Sequence, residues 1–446
     1  MSITKTILYS LALLLLTPAL SMAQDTDKHD SISIDAKEKT NSLNVSLDLF
    51  SHGEMRSGGY PENATDDRAN FLSGRERLII GYERKELEVN LNIQHSDIWG
   101  EAGGGSFDVY EAWAKLRARN GLFLKVGRQA LAYDDERIIG PNDWAMASQS
   151  HDVLLTGYEG KGHKVHMFFA YNQNPDNADK GGNYYADGFQ PYKTMQTAWY
   201  HYDIGKFPLG FSVLFMNIGM QGGSKDEKTY TAYQQLAGGY AKYSPEHLTI
   251  EGAYYRQMGK NEDKMKIRAW MASAKATVKP TEKYGFEAGY DYLSGDKYFA
   301  VPPKGEIGLM RHKVIKGFNS VYGSHHKFYG MMDFFYVSTY VNGFTPGLQN
   351  LYAGVFYNPI KNLSLKADYH YLAIAADLDD MDKKLGHEIE FEAKYYIKKD
   401  ICLSAGFSYM TGTETMEKLK RANENGNMKW GWISLEVSPR IFSTKW

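Results

Sequence analysis

Apolar and polar residues alternate one for one along most of this chain. Leu43, Val45, Leu47 and Leu49 are interleaved with Asn44, Ser46 and Asp48, and Leu87, Val89, Leu91 and Ile93 with Glu88, Asn90 and Asn92. Tyr110, Ala112, Ala114, Leu116 and Ala118 alternate with Glu111, Trp113, Lys115, Arg117 and Arg119. Toward the C-terminus the same pattern sets Leu363, Leu365, Ala367, Tyr369 and Tyr371 against Ser364, Lys366, Asp368 and His370. Ile389, Phe391, Ala393 and Tyr395 then face Glu388, Glu390, Glu392 and Lys394. A period of two belongs to β-strands, whose successive side chains point to opposite faces. The segments run to about ten residues, the length a tilted strand needs to cross a bilayer. Tyr82, Tyr158, Tyr171, Tyr243, Tyr292, Tyr357 and Tyr371 fall near their ends, where an interfacial aromatic girdle lies. The pattern predicts a transmembrane barrel with its apolar face toward lipid and its polar face toward a lumen.

The connections give the strand number. Short links fall near Arg84-Lys85, Asn120-Gly121, Gly160-Lys161, Gly205-Lys206, Ser244-Pro245, Thr281-Glu282, Pro359-Ile360 and Lys398-Lys399. Between them lie long polar stretches, at roughly 52–74, 96–108, 131–150, 172–193, 220–230, 258–266, 294–349, 373–386 and 411–428. Alternating short turns and long loops join an all-β antiparallel barrel of about 18 strands, with both ends on the short-turn side. Phe334, Phe335, Tyr336 and Val337 would break the alternation as a strand, so they belong to the 294–349 loop, which is long enough to enter or cap the pore. Pro439 interrupts the last strand before the terminal Trp446.

The ends agree with export to an outer membrane. Lys5, the apolar run Ile7–Leu20 and the small residues Ser21-Met22-Ala23 read as a cleaved signal peptide, residues 1–23. Residues 24–40 read as a flexible periplasmic tail and 41–446 as the barrel. No later apolar run reaches 18 residues, so helices do not carry the mature chain through a membrane. A formal charge of −2 gives no reason to expect nucleic acid, and one cysteine, Cys402, excludes an internal disulfide framework.

The inward phase is heavily charged. Arg75, Arg77, Lys115, Arg117, Arg119, Lys125, Lys164, Lys275 and Lys366 fall on it, as do Glu88, Glu111, Glu251, Glu287, Asp291, Asp368, Glu388, Glu390 and Glu392. On the lipid face each such charge would cost roughly 2–4 kcal/mol near mid-bilayer, which fixes the phase. Two outcomes are open: basic residues on neighbouring strands form a constriction for anionic solutes, or the charges pair across strands and fill a wet interior. Bases concentrate early in the chain and acids late, so an asymmetric lumen is expected.

Other clusters lack the spacing that chemistry requires. His325-His326 with His312 does not have a fixed metal-site pattern, and Asp377, Asp379, Asp380 and Asp382 lack the glycine and distal glutamate of an EF-hand. There is no G-x-S-x-G context, and Gly103-Gly104-Gly105 has neither the lysine nor the helix of a phosphate cradle. No catalytic residue, metal or cofactor is therefore expected. A barrel enzyme acting on lipid would need Ser/His partners at the lipid rim. A scaffold or adhesin barrel would need Glu–Arg pairs locking the whole lumen.

Three stretches resemble the alginate export family of outer-membrane barrels. They are Val126-Gly127-Arg128-Gln129-Ala130-Leu131-Ala132-Tyr133 with Glu136-Arg137 and Trp144, then His326-Lys327-Phe328-Tyr329-Gly330-Met331-Met332-Asp333-Phe334-Phe335, then Gly347-Leu348-Gln349 with Leu385-Gly386-His387-Glu388-Ile389-Glu390. The resemblance implies an 18-stranded pore with an arginine-rich constriction that conducts an anionic polysaccharide such as alginate, and Arg128 and Arg137 match its motif. Arg128 shares the parity of Leu124 and Val126, so it reaches the lumen only if Gly127 shifts the register or the strand ends there. The expectation is a monomeric channel for passive transport of anionic solutes, polyuronate or smaller organic acids, with a general porin as the alternative. Its partners would be outer-membrane lipid and lipopolysaccharide, the barrel-assembly machinery and the solute itself.

Overall fold

The computed structural model describes residues 41–59, 68–174, 186, 191–224, 229–297, 314–335, 345–379, 381–420 and 427–446. The expected signal peptide 1–23 and tail 24–40 lie outside the described residues, as do His312, Tyr336, Val337 and Asp380.

Backbone that crosses lipid must pair every N–H and C=O within the chain, and the alternating segments do so as one closed sheet. Its first strands are β1 (Ser42–Ser57), β2 (Arg68–Arg84), β3 (Leu87–Ile98), β4 (Ser106–Arg117), β5 (Leu122–Gln129), β6 (His151–Gly160) and β7 (His163–Tyr171). There follow β8 (Thr194–Asp203), β9 (Leu209–Gly222), β10 (Tyr230–Tyr243), β11 (Leu248–Lys260), β12 (Lys266–Val278) and β13 (Tyr284–Leu293). After a two-residue strand, β14 (Val314–Ile315), come β15 (Leu348–Ile360), β16 (Leu363–Ala373), β17 (Lys384–Lys398), β18 (Ile401–Gly412), β19 (Asn427–Val437) and β20 (Arg440–Lys445). Wall strands pair antiparallel with their chain neighbours, and β13 pairs directly with β15 because β14 only touches the end of β12. β20 continues β19 beyond Pro439, so twenty strands make a wall of eighteen, the number expected from the turns.

Closure is made by β1, which sets Leu49 opposite Val437 on β19 and Leu43 opposite Thr444 on β20. Pro439 has no N–H to give the ladder, and the register slips between Val45 and Ser46 where it passes. Its carbonyl still accepts the Leu47 N–H at 3.0 Å. The seam is finished by Asn41 and Trp446, which exchange two backbone bonds of 3.0 and 3.1 Å.

The two faces follow the sequence phase. On β17, Ile389, Phe391 and Tyr395 are exposed on the outside, whereas Glu388 and Glu390 are buried inside. Several strands run well past the expected loop boundaries. β1 continues to Ser57 and β2 begins at Arg68, although the pattern suggested a loop over 52–74. Alternation fades there because outward positions such as Gly53, Ser57, Asn70 and Gly74 are polar or lack a side chain, while the backbone ladder does not need apolar side chains to continue. The turn expected at Pro359-Ile360 falls on Lys361-Asn362, and a short helix, α1 (Glu414–Lys420), occupies part of the 411–428 loop with Met416 and Leu419 buried beneath it.

Phe391→Arg, which puts a guanidinium among outward apolar side chains, is expected to destabilise the barrel by roughly 2–4 kcal/mol, measured by urea unfolding in vesicles.

Candidate transport path

Two loops fold inward and divide the lumen. The first runs from Ala130 to Ser150 between β5 and β6, and its Leu131, Tyr133, Ile138 and Ile139 are buried. The second is the described part of the long loop, residues 314–335, whose Phe318, Tyr322, Tyr329 and Phe335 are buried. The loops meet at a bridge between Ile139 and Tyr322. Trp144 stacks on His326 with ring centres 4.1 Å apart, against Trp432 of β19 and His52 of β1. Apolar contact inside the pore holds segments that would otherwise be extracellular.

Arginines fix the first loop to the wall. Arg75 and Arg77, both buried on β2, converge on Asp143: Arg77 approaches its carboxylate at 2.8 Å, and Arg75 donates to its backbone carbonyl at 2.6 Å. Arg77 also donates to Ser148 at 2.7 Å and to Gln94 at 2.8 Å, with its guanidinium 4.1 Å from the Tyr110 ring. Across the lumen, Arg137 reaches Asp291 of β13 at 3.0 Å, Asp135 at 3.1 Å and the Tyr329 hydroxyl at 2.9 Å, and lies over the Phe328 ring. One guanidinium therefore joins both loops to the wall. Burial pushes the Tyr329 phenol up to about 12 against the pull of Arg137, so the hydroxyl is neutral at physiological pH. Burial also raises the Asp134 carboxyl above its ordinary range, opposed by hydrogen bonds from Ser212, Trp199 and Tyr255.

The second loop rests on two glutamates of β17. Glu390 accepts the Met331 N–H at 2.5 Å and Glu388 the Met332 N–H at 3.0 Å. Gly330 precedes them with φ +95, and a Cβ there would collide with the Glu388 carboxylate, so only glycine permits this approach.

The other sequence candidates are dispersed. Lys115 and Arg117 face the lumen on β4, Lys115 over the Phe123 ring at 4.3 Å and Arg117 paired with Glu88. Arg119 is exposed in the turn that follows. Arg128 is not brought to the lumen. No register shift occurs in either ladder of β5, so Arg128 keeps the outward phase of Leu122, Leu124 and Val126 and binds Asp152 of β6 through two bonds of 2.9 Å. Gly127 has φ +124, and this lets β5 press on Ala112 without turning the side chains over.

Among the described residues, two cavities lie between loops and wall. The larger, about 780 Å³, reaches the short turns at Gly205, Pro208 and Ser244 and is roofed by Ala130–Asp135. Its carboxylates all have donors: Glu159 binds His166 at 3.0 Å, Asp203 binds His201 at 3.0 Å, Glu251 binds Lys275 at 2.8 Å, Asp135 binds Arg137, and Asp134 binds Trp199 and Tyr255. Its lysines, Lys125, Lys164 and Lys242, have no carboxylate within 4.0 Å among the described residues; Lys125 sits over the Trp113 ring at 3.8 Å. The smaller cavity, about 310 Å³, lies beside Arg137 and the 326–331 segment. There Lys366 bridges Glu287 at 2.9 Å and Asp368 at 3.0 Å. Charge pairing thus dominates one side of the lumen, while on the other three lysines stand among carboxylates that are bound elsewhere.

Sequence reasoning missed the loop partners Asp135 and Asp143, and it singled out Tyr329 and Trp144 only as motif residues, not as loop contacts. The density of large apolar residues in 131–150 was the available sign that this loop is not solvated. Arg137→Met leaves Asp291 buried without its cation, so it is expected to cost about 3–5 kcal/mol of local stability. Faster amide exchange across 131–150 and a larger single-channel conductance are the expected readouts, with partial recovery in Arg137→Met/Asp291→Asn.

Comparison with solved structures gives the same fold. Pseudomonas aeruginosa OpdO aligns with TM-score 0.61 at 13% identity, OpdQ with 0.58 at 15% and OccK5 (OpdH) with 0.57 at 12%; each alignment covers 90% of this chain and 98% of the other. No curated protein matches the chain. The family model described as alginate export matches residues 94–388, more than half of the sequence. The protein therefore belongs to the alginate export family of barrels and is a channel of the bacterial outer membrane.

Proposed function

We propose that this channel passes anionic solutes, either a polyuronate or smaller organic acids, by passive diffusion along the lysine-bearing side of its lumen. The observation that carries this reading is the 780 Å³ cavity, in which Lys125, Lys164 and Lys242 have no carboxylate partner while every carboxylate lining it has a donor. A carboxylated solute offers the charge that these ammonium groups lack, in a water-filled space where the desolvation cost is small. Arg75, Arg77 and Arg137 act differently in this reading. They anchor the inward loops and thereby set the width of the passage.

Single-channel recording in planar bilayers under a salt gradient tests the proposal. The expected result is stable openings with a reversal potential on the anion side. Lys125→Glu/Lys164→Glu is expected to move that potential toward cation preference without loss of openings. Cation preference in the unaltered protein would remove the anionic reading and keep the channel.

A further inference from the structure

On the outward face of the wall, strand register gathers three side chains of metal-binding type. Glu76 of β2 stands opposite His95 of β3, and Gly74 stands opposite Asp97. The ligand atoms of Glu76, His95 and Asp97 all lie within 4.8 Å of one another. The surface around them is apolar. Leu78 and Ile93 form the next outward pair toward the short turns, Leu49 and Phe107 flank the Glu76–His95 pair on β1 and β4, and Trp99 lies toward the extracellular loops. Charge on this face is costly, and one imidazole cannot balance two carboxylates. Among the described residues no lysine or arginine comes within 4.0 Å of either carboxylate, and Asp97 has no hydrogen bond or ion pair.

Two glycine positions shape the cluster. A Cβ on Gly74 would lie 2.8 Å from Asp97 Oδ1 and 2.9 Å from Glu76 Oε1, so glycine leaves the space between the carboxylates open. His95 is oriented from its other side, where Nε2 donates to the Gly104 carbonyl at 2.7 Å. That bond turns Nδ1 toward Glu76 Oε2, 2.8 Å away. Gly105 has φ +77, and a Cβ there would sit 2.9 Å from His95 Nε2 and 2.5 Å from the Ser96 carbonyl, so the loop closes on the imidazole only with glycine. A backbone carbonyl on the outer ring nitrogen is the supporting contact that metal-bound histidines carry, because it fixes the tautomer and the ring plane.

We propose that Glu76, His95 and Asp97 bind a divalent transition-metal ion of the Zn²⁺ type through one oxygen of each carboxylate and His95 Nδ1. An imidazole nitrogen beside two carboxylates suits Zn²⁺ better than Ca²⁺ or Mg²⁺, which take oxygen ligands. The ion takes the place of the proton that Nδ1 shares with Glu76, and that proton leaves to solvent. Ligand bonds of about 2 Å draw the three atoms together, which Glu76 and Asp97 allow because neither side chain is buried. The bound ion joins β2 to β3 and balances charge that the apolar surface does not, whichever solute crosses the lumen.

Isothermal titration calorimetry of the full refolded barrel in detergent with zinc chloride tests the proposal. One tight equivalent is expected, with apparent affinity falling about tenfold or more in His95→Gln and in Asp97→Asn. Gly74→Val keeps all three ligands but fills the space between them, and it is expected to weaken binding as well. Co²⁺ in place of Zn²⁺ is expected to give visible absorption that His95→Gln removes, which assigns the nitrogen ligand. Heat-modifiable gel mobility would show that each variant is folded. Absence of a tight equivalent overturns the proposal, and so does an equivalent that survives both His95→Gln and Asp97→Asn, since other histidines would then hold the ion. Displacement by an equal concentration of Ca²⁺ also overturns it, because the site would then be one of carboxylates alone.

Discussion

The structure depends on the requirement that no backbone polar group face lipid unpaired. A sheet meets that requirement only by closing on itself, and here closure rests on β1 finding β19 and β20. Once the ring is shut, strand alternation has a fixed meaning, with one phase solvated by acyl chains and the other enclosed. The charges on β2, β13, β16 and β17 then have no choice of side. Their density inside the ring in turn makes the inward loops possible, because the first loop is tied down by ion pairs with the wall and the second by backbone hydrogen bonds to wall carboxylates.

That tying down changes what the arginines do. A guanidinium aimed into an open pore would attract anions, but Arg75, Arg77 and Arg137 are buried under loop segments and bound to Asp143, Asp135 and Asp291. Their five donors in a planar fork suit a joint of this kind, where carbonyl, carboxylate and hydroxyl acceptors arrive from different elements. Lysine, a compact cation on a flexible stem, is left for the solvated surface of the larger cavity.

The wall was legible in the sequence, and so was the length of the 294–349 loop that enters the pore, but the inward fold of 131–150 was not. Eight short turns gave the strand number because each must reverse the chain in two to five residues, which favours turn-forming pairs such as Asn120-Gly121 and Ser244-Pro245. Lumen phase was legible from Lys115, Lys366 and Glu390 because a period of two is a local property. The partners of those charges were not, since Arg137 and Asp291 are 154 residues apart and no pattern along the chain relates them. Gly127 shows the limit from the other side. Its left-handed φ signals a special backbone, yet whether that backbone reverses the phase of Arg128 depends on the pairing with Ala112 and Asp152, which only the folded sheet supplies.

Charge asymmetry along the chain becomes asymmetry across the pore. Counting wall strands, β5 is fifth and β15 fourteenth, nine of eighteen apart, so the two stand half-way round the ring from each other. The lysines of β4, β5 and β7 thus oppose the carboxylates of β13, β16 and β17. The acidic side is where the 326–333 segment docks, through Glu388, Glu390 and Asp291, and where Lys366 is held between two carboxylates. Its negative charge is consequently spent on internal contacts, and the remaining cavity there is the smaller one. On the opposite side the loop roof stops at Asp135 and the lysines look toward the short-turn end. Folding thus leaves three lysines of a nearly neutral chain without a carboxylate within 4.0 Å among the described residues, on the side of the lumen that holds the larger cavity.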